Sequence, residues 1–290
     1  MELKHISTRQ GRLSTFLKNE MGMSTGLVNK LKWQNKIFVN GAPQHNDYTV
    51  QPGDVITVPL DEPVPEYPAE NGALTVLFED EHILAVDKPA GMLIHPSRAT
   101  MTGTLANRVV GYYQRTGQAC AFHPITRLDR DTFGIVLLAK NAHVHALLNG
   151  LHQEGSLRKT YHALVFGGPE ANSGIIDAPI ARQPLPSLLR YVNPEGKPSV
   201  TEFKVLQRQQ DTCLLALHPV TGRTHQLRVH CAHMGFPILG DPQYASPESK
   251  ALSERLDLHT QLLCAKALDF VHPVTQEAMH LESRMDVTER

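Results

Sequence analysis

The apolar positions follow two rhythms, helical at the start of the chain and strand-like through most of the rest. Between Arg12 and Glu20, Leu13, Phe16 and Leu17 recur at helical spacing, and Gly22 ends the run. Ser24 stands at an N-cap position ahead of a second helix reaching about Gln34, with Leu27, Val28 and Leu31 as its apolar face. Ile37, Phe38 and Val39 then lead into Asn40-Gly41, a pair that tolerates the positive φ angles of a tight hairpin. Pro52-Gly53-Asp54 turns the chain once more, into the strand-like Val55 to Val58. Residues 1–60 therefore read as a small α+β unit.

Residues 61–73 are rich in proline and acidic side chains and lack apolar periodicity, the composition of a semi-rigid linker. From residue 74 to 290, short apolar runs dominate: Leu74 to Phe78, Ile83 to Asp87, Gly134 to Ala139, Thr160 to Phe166, Ser199 to Leu206 and Thr212 to Leu217. Turns rather than regular helices separate most of them, which predicts an α+β domain built on a mostly antiparallel mixed sheet, not a doubly wound α/β one.

Composition supports a folded chain: 41% of the 290 residues are hydrophobic and 20% charged. With 28 basic and 29 acidic residues the net charge is −1, so binding to a polyanion has to come from local patches. Cys120, Cys213, Cys231 and Cys264 form no C-x-x-C pair, and the opening MELKHISTRQ has no apolar stretch, which together suggest a reducing cytoplasm. No run approaches the roughly 18 apolar residues of a membrane span. Neither G-x-x-x-x-G-K-[ST] nor G-x-G-x-x-G occurs, so no nucleotide cofactor is expected.

Three segments concentrate chemistry. Thr126 to Gly134 places two arginines and two aspartates just before an apolar strand; alone, such a group is equally a surface salt-bridge cluster. In Lys159 to Val165, alternation puts Tyr161, Ala163 and Val165 on one strand face, with Tyr161 inward. Gly222 to Gly235 reads as a helix capped by Thr224, with His225, Arg228 and Ala232 on one face and Leu227, Cys231 and Met234 on an apolar one. His225, His230 and His233 around Cys231 invite a zinc reading, but no second pair has the spacing to complete four ligands, so no metal is expected.

The first segment resembles the H-R-L-D-x-x-T-S-G motif of RluA/RluD-type RNA pseudouridine synthases, with Thr126 in place of the histidine and Phe133 in place of the serine. K-x-Y-x-A-x-V and G-R-T-H-Q-L-R-V-H resemble the second and third motifs of that family. Flanking pieces agree in order: Asp87-Lys88-Pro89-Ala90-Gly91, Gly235-Phe236-Pro237-Ile238, and Gly240-Asp241 before Tyr244. The resemblance implies the pseudouridine synthase fold, no cofactor, and RNA as the partner, with no obligate protein partner. It implies Asp129 as the catalytic residue, Arg228 as its ion-pair partner, Tyr161 as the ring against the target base and acceptor of its C5 proton, and Arg127 as the side chain that fills the gap left by a flipped base. The first sixty residues are similar to S4-type RNA-binding domains, which nominates Arg9, Arg12, Lys30, Lys32 and Lys36 as RNA contacts and favours ribosomal over transfer RNA.

Asp129 could attack ribose C1′, add to C6, or abstract the C2′ proton; residue types do not choose among these. Two other functions remain open on the sequence. One is a non-catalytic RNA-binding or ribosome-assembly factor. The other is an N-glycosidic hydrolase, which needs a second carboxylate, for which Asp131 is the nearby candidate.

Overall fold

The computed structural model describes residues 2–60, 67–97 and 99–289. The expected linker therefore falls partly outside the described residues, which resume at Tyr67.

The N-terminal part contains β1 (Glu2–Ile6), β2 (Gly11–Arg12), α1 (Leu13–Thr15), α2 (Thr25–Trp33), β3 (Phe38–Val39), β4 (Ala42–Pro43), β5 (Thr49–Val50) and β6 (Val55–Pro59). The predicted first helix is present, but after Thr15 it widens into a π-helical turn, Phe16–Glu20. Its i→i+5 bond runs from Met21 N–H to Phe16 O, while Leu13, Phe16 and Leu17 stay buried. Ser24 caps α2 by accepting the Leu27 N–H. Asn40 and Gly41 both have positive φ, at 51° and 81°, and close the β3–β4 hairpin as the dipeptide predicts. Four strands pair in the order β1-β6-β3-β4 over a core of their own that includes Leu13, Phe16, Val28, Leu31 and Ile56.

The larger part continues with β7 (Thr75–Glu79), β8 (Ile83–Lys88), α3 (Leu105–Arg115), β9 (His123–Pro124), β10 (Phe133–Ala139), α4 (Ala142–Gln153), β11 (Arg158–Phe166), β12 (Ser173–Asp177), β13 (Ile180–Arg182), β14 (Arg190–Val192), β15 (Val200–Arg208), β16 (Thr212–Pro219), α5 (Gln226–His233), α6 (Pro247–Arg255), β17 (Leu263–Val271) and β18 (Ala278–Glu282). Ten of these strands form one sheet, with main order β12-β15-β16-β11-β17-β10-β8-β7 and with β18 on β17 and β9 on β10. All pairings are antiparallel except β10 with β17, so the expected mostly antiparallel mixed sheet is observed. Residues of one sheet face join the main core, Tyr161, Ala163 and Val165 among them. On the other face Phe133 packs with Leu239, Leu252, Leu262 and Cys264. β17 was not expected from the pattern: Leu263, Cys264, Ala265, Ala267 and Leu268 are buried in near succession, so a strand covered on both sides shows no alternation.

The parallel contact between β10 and β17 brings Gly134 against Ala265 at φ +106°, where an added Cβ would lie 2.3 Å from the Ala265 carbonyl oxygen. Gly41 has nothing within 4 Å of its would-be Cβ. Gly134→Ala is accordingly expected to lower the unfolding free energy by at least about 2 kcal/mol, and Gly41→Ala by about 1 kcal/mol. Urea titrations of the two variants check this; equal losses would contradict the close approach.

Candidate active site

Asp129 lies on the segment between β9 and β10, and backbone pairing fixes that segment before its chemistry begins. Ile125 N–H donates to Leu137 O at 2.8 Å, and the buried Thr126 hydroxyl accepts the Leu137 N–H at 3.1 Å. Thr126, where the resemblance leads one to expect histidine, thus continues the β-ladder for one more residue. Thr126 and Leu128 point inward, while Arg127 is exposed and Asp129 half-exposed. Beyond Asp129 the loop is held by Lys88. Fully buried, its ammonium donates to the carbonyls of Pro89, Met92 and Arg130 at 3.0, 2.9 and 2.9 Å. Phe133, the second departure from the motif, is buried in the apolar cluster on the opposite sheet face.

The third motif contributes Arg228. The Gln226 amide organises its approach: its oxygen accepts from the Thr221 hydroxyl and Arg223 N–H, and its nitrogen donates to Val200 O and the Thr201 hydroxyl. α5 begins at Gln226, and its N-cap is His225 in the left-handed conformation, φ 58°. Thr224 does not cap the helix as predicted. It is exposed, and the turn at His225 is set by the Gln226 tether instead. Met234 is also exposed, at 48%, so the buried part of α5 is Leu227, Val229 and Cys231 together with the hydrogen-bonded Gln226, Arg228 and His230. His230 has both ring nitrogens engaged, Nδ1 with the Thr201 hydroxyl and Nε2 with Ala178 O.

Arg228 is 4% exposed and meets two carboxylates. Its Nε and Nη2 donate to both oxygens of the buried Asp241 at 2.7 Å each, Nη2 also reaches Gln243 Oε1 at 2.9 Å, and Nη1 reaches Asp129 Oδ2 at 3.2 Å. Burial alone would pull the guanidinium down, but the hydrogen bonds and charge of Asp241, reinforced by Asp129, keep it ionised. The bidentate fork fixes the plane of the guanidinium, and so the direction in which Nη1 faces Asp129. Asp241 and Gln243 were not nominated from the sequence, although Gly240-Asp241 stands among the flanking pieces of the resemblance.

Asp129, Arg228, Arg127 and Tyr161 share the wall of one cleft of about 430 Å³. Tyr161 is 9% exposed, one residue past an irregularity in the β11–β17 register. Burial, and then the Asp129 charge, pushes its phenol up, so the ring is held neutral. Among the described lining residues Asp129 is the sole carboxylate, facing the cations Arg127, Lys159, Arg223 and Arg228. Burial brings Lys159 down to about 8. Asp131 does not line the cleft and lies 3.7 Å from Arg130 Nε, so the second carboxylate of a hydrolase is not in place. Among the described residues no group of three or more His, Cys, Asp or Glu converges on a metal position, and no helix is long and apolar enough to cross a membrane.

The basic residues of the N-terminal part lie outside this cleft. Arg12 and Lys32 line a concavity of about 600 Å³ with Lys18 and His45, neither of which was singled out from the sequence. Arg9 is held by Glu20 at 2.9 Å and stacks over Phe16. Lys30 is exposed and Lys36 half-buried, and neither lines the concavity.

The cleft, with its carboxylate–arginine pair and its tyrosine, can be set against known proteins. Residues 82–233 match the RNA pseudouridylate synthase family. The chain is 36% identical over 267 residues to the uncharacterized RNA pseudouridine synthase YjbO of Bacillus subtilis, covering 91% of this chain and 92% of that one. It is 30% identical over 288 residues to ribosomal large subunit pseudouridine synthase C of Vibrio cholerae, covering 95% and 90%. Ribosomal large subunit pseudouridine synthase D of Buchnera aphidicola is 31% identical over 260 residues, covering 86% and 82%. Among solved structures, human RNA pseudouridylate synthase domain containing 1 shares the fold with a TM-score of 0.59 at 24% identity, over 74% of this chain and 86% of that one. The protein belongs to the RNA pseudouridine synthase family.

Removing one partner of a buried ion pair leaves the other charged and unmatched. Asp241→Ala is expected to cost about 3–5 kcal/mol of stability, and Gln243→Ala about 1 kcal/mol. Denaturant melts of these variants beside Asp129→Ala, which should lose less than Asp241→Ala, test whether Asp241 rather than the half-exposed Asp129 holds Arg228.

Proposed function

We propose that the protein is a pseudouridine synthase of the RluA/RluD type that isomerises uridine in ribosomal RNA, with Asp129 as its catalytic residue. The observation that carries this reading is the Asp129 carboxylate itself: the sole acid among the described residues of the cleft, one oxygen held by Arg228, and Tyr161 on the same wall. The ribosomal assignment rests on the names of the relatives from Vibrio cholerae and Buchnera aphidicola.

Isomerisation requires the bond from C1′ to N1 to break, the uracil to turn, and C5 to bond to C1′ with loss of the C5 proton. No redox change occurs, and no cofactor enters. Arg228 donates to one oxygen of the Asp129 carboxylate and fixes its orientation in the cleft. The Tyr161 ring offers a face to the uracil. Closing the C5–C1′ bond frees Asp129 as a carboxylate before the C5 proton leaves, so the neutral Tyr161 phenol takes that proton by handing its own to the restored carboxylate on the same wall. A uridine reaches the cleft only by leaving its stack, at a cost of a few kcal/mol. Arg127, exposed at the rim two residues from Asp129, can stack in the vacated space with its planar guanidinium.

The domain division belongs to the same reading: residues 1–60 as an S4-like RNA-binding domain, 61–73 as a linker and 74–290 as the catalytic domain. The separate apolar core of the N-terminal part supports it. Arg12 and Lys32, with Lys18, line a concavity in which three cations outnumber Asp47, and Arg9, Lys30 and Lys36, which do not line it, are read as weaker contacts.

The test uses ribosomal and transfer RNA carrying tritium at uracil C5. Wild-type protein should release label from ribosomal RNA, Asp129→Asn should release only background, and Arg127→Ala should lower the rate more than tenfold while Tyr161→Phe blocks release. Equal release by wild type and Asp129→Asn overturns the catalytic assignment. Free uracil in the products would identify a hydrolase, and release from transfer RNA alone would overturn the ribosomal one.

A further inference from the structure

His225 occupies a left-handed backbone position, φ 58° and ψ 15°, beside Asp129. Such a conformation costs a residue other than glycine about 1–3 kcal/mol and persists only where surrounding contacts impose it. The Gln226 tether sets the turn, and a second set of contacts holds the imidazole within it. Tyr244 Oη accepts the Arg190 backbone N–H at 2.9 Å and lies 2.8 Å from His225 Nδ1, and the two rings pack edge to face with centroids 5.7 Å apart. The Arg228 guanidinium covers the Tyr244 ring, 5.0 Å from its centroid.

This chain fixes where the imidazole proton lies. The Tyr244 oxygen already receives one proton from Arg190, and among the described residues the acceptor for its own proton is His225 Nδ1. An Nδ1–H imidazole would set two donors against that oxygen and leave the phenol proton without an acceptor. The imidazole proton therefore sits on Nε2, which lies 3.9 Å from Asp129 Oδ2, the oxygen that Arg228 also holds. Asp129 Oδ1 has no partner among the described residues.

We propose that His225 is a positioning residue for Asp129, held by Tyr244 in the tautomer that presents Nε2–H to Oδ2 and so leaves Oδ1 as the oxygen that meets the substrate. The proposal rests on Asp129 being the reacting group. At 3.9 Å the N–H acts on the carboxylate as an oriented dipole, and a small rotation brings it into hydrogen bonding when the nucleotide closes the site. The anchor of the chain, Arg190, begins β14 in a hairpin whose turn exposes Leu185 and Leu188, so displacement of that hairpin would reach Asp129 through one backbone N–H.

The charged and titratable groups facing His225 are Asp129 before β10, Arg228 on α5, Arg190 on β14, and Asp241 and Tyr244 after α5. Burial, with Arg228 and Arg190, outweighs Asp129 and Asp241 and holds the imidazole below its ordinary range, hence neutral at pH 7. The Tyr244 hydrogen bond to Nδ1 also favours the neutral ring. Its loss should move imidazole protonation to higher pH, where the imidazolium locks Asp129 in an ion pair.

Tyr244→Phe removes one oxygen and keeps the ring. Single-turnover tritium release by this variant should fall about tenfold near neutral pH, the rate equivalent of one hydrogen bond, with RNA affinity unchanged. Its acid limb should move to higher pH than that of wild type. In ¹⁵N-histidine spectra of the free proteins, the His225 signal, assigned by its loss in His225→Asn, should show the Nε2–H tautomer in wild type and in Asp129→Asn, and a tautomer mixture in Tyr244→Phe. A pH-independent loss of rate, an unshifted acid limb, or an Nδ1–H tautomer in wild type would overturn the proposal. Activity in Asp129→Asn would instead remove the catalytic reading beneath it, while the spectra would still report the tautomer.

Discussion

The site depends on a guanidinium buried between two carboxylates. Arg228 cannot leave the protein interior without stranding Asp241, and Asp241 holds it by both oxygens, so the remaining nitrogen faces Asp129 in a fixed direction. One carboxylate is structural and buried, and the other is half-exposed in the cleft. The difference in burial separates a clamp from a group free to react. Ten strands, the Lys88 carbonyl cluster and the Gln226 tether bring the ends of this chain of charges together from positions 99 and 13 residues apart.

Around that pair the cleft is cationic although the chain as a whole is not. Arg127, Lys159, Arg223 and Arg228 against one acid give a local field suited to a polyanion, while the net charge of −1 gives none at long range. A second concavity, in the N-terminal part, is lined by Arg12, Lys18 and Lys32 against Asp47, and under the proposed function it serves as a phosphate contact. Division between a site for one nucleotide and a surface for its surroundings suits an enzyme that must select one uridine within a large folded RNA.

Much of this was legible in the sequence because it is encoded locally. The Ser24 cap, the Asn40-Gly41 hairpin and the inward Tyr161 each follow from a few adjacent residues, and each is present. What escaped is non-local or hidden by burial. β17 has no alternation because both of its faces are covered. Lys88 reads as an ordinary cation, and only the folded loop supplies its three carbonyls. Thr224 looked like a cap because the left-handed turn at His225 depends on Gln226 reaching across to Val200 and Thr201. Thr126 and Phe133 stand in the sequence only as departures from the motif. One completes a ladder hydrogen bond, and the other fills an apolar cluster on the far face of the sheet.

The claim on which the rest turns is that the Asp129 carboxylate performs the chemistry. It is tested most directly by the pseudouridine content of ribosomal RNA from cells lacking the gene and resupplied with either wild-type protein or Asp129→Asn, read by mass spectrometry of the digested nucleosides. The account predicts that a specific pseudouridine disappears with the gene, returns with wild type and stays absent with Asp129→Asn. Its return with Asp129→Asn would contradict the account.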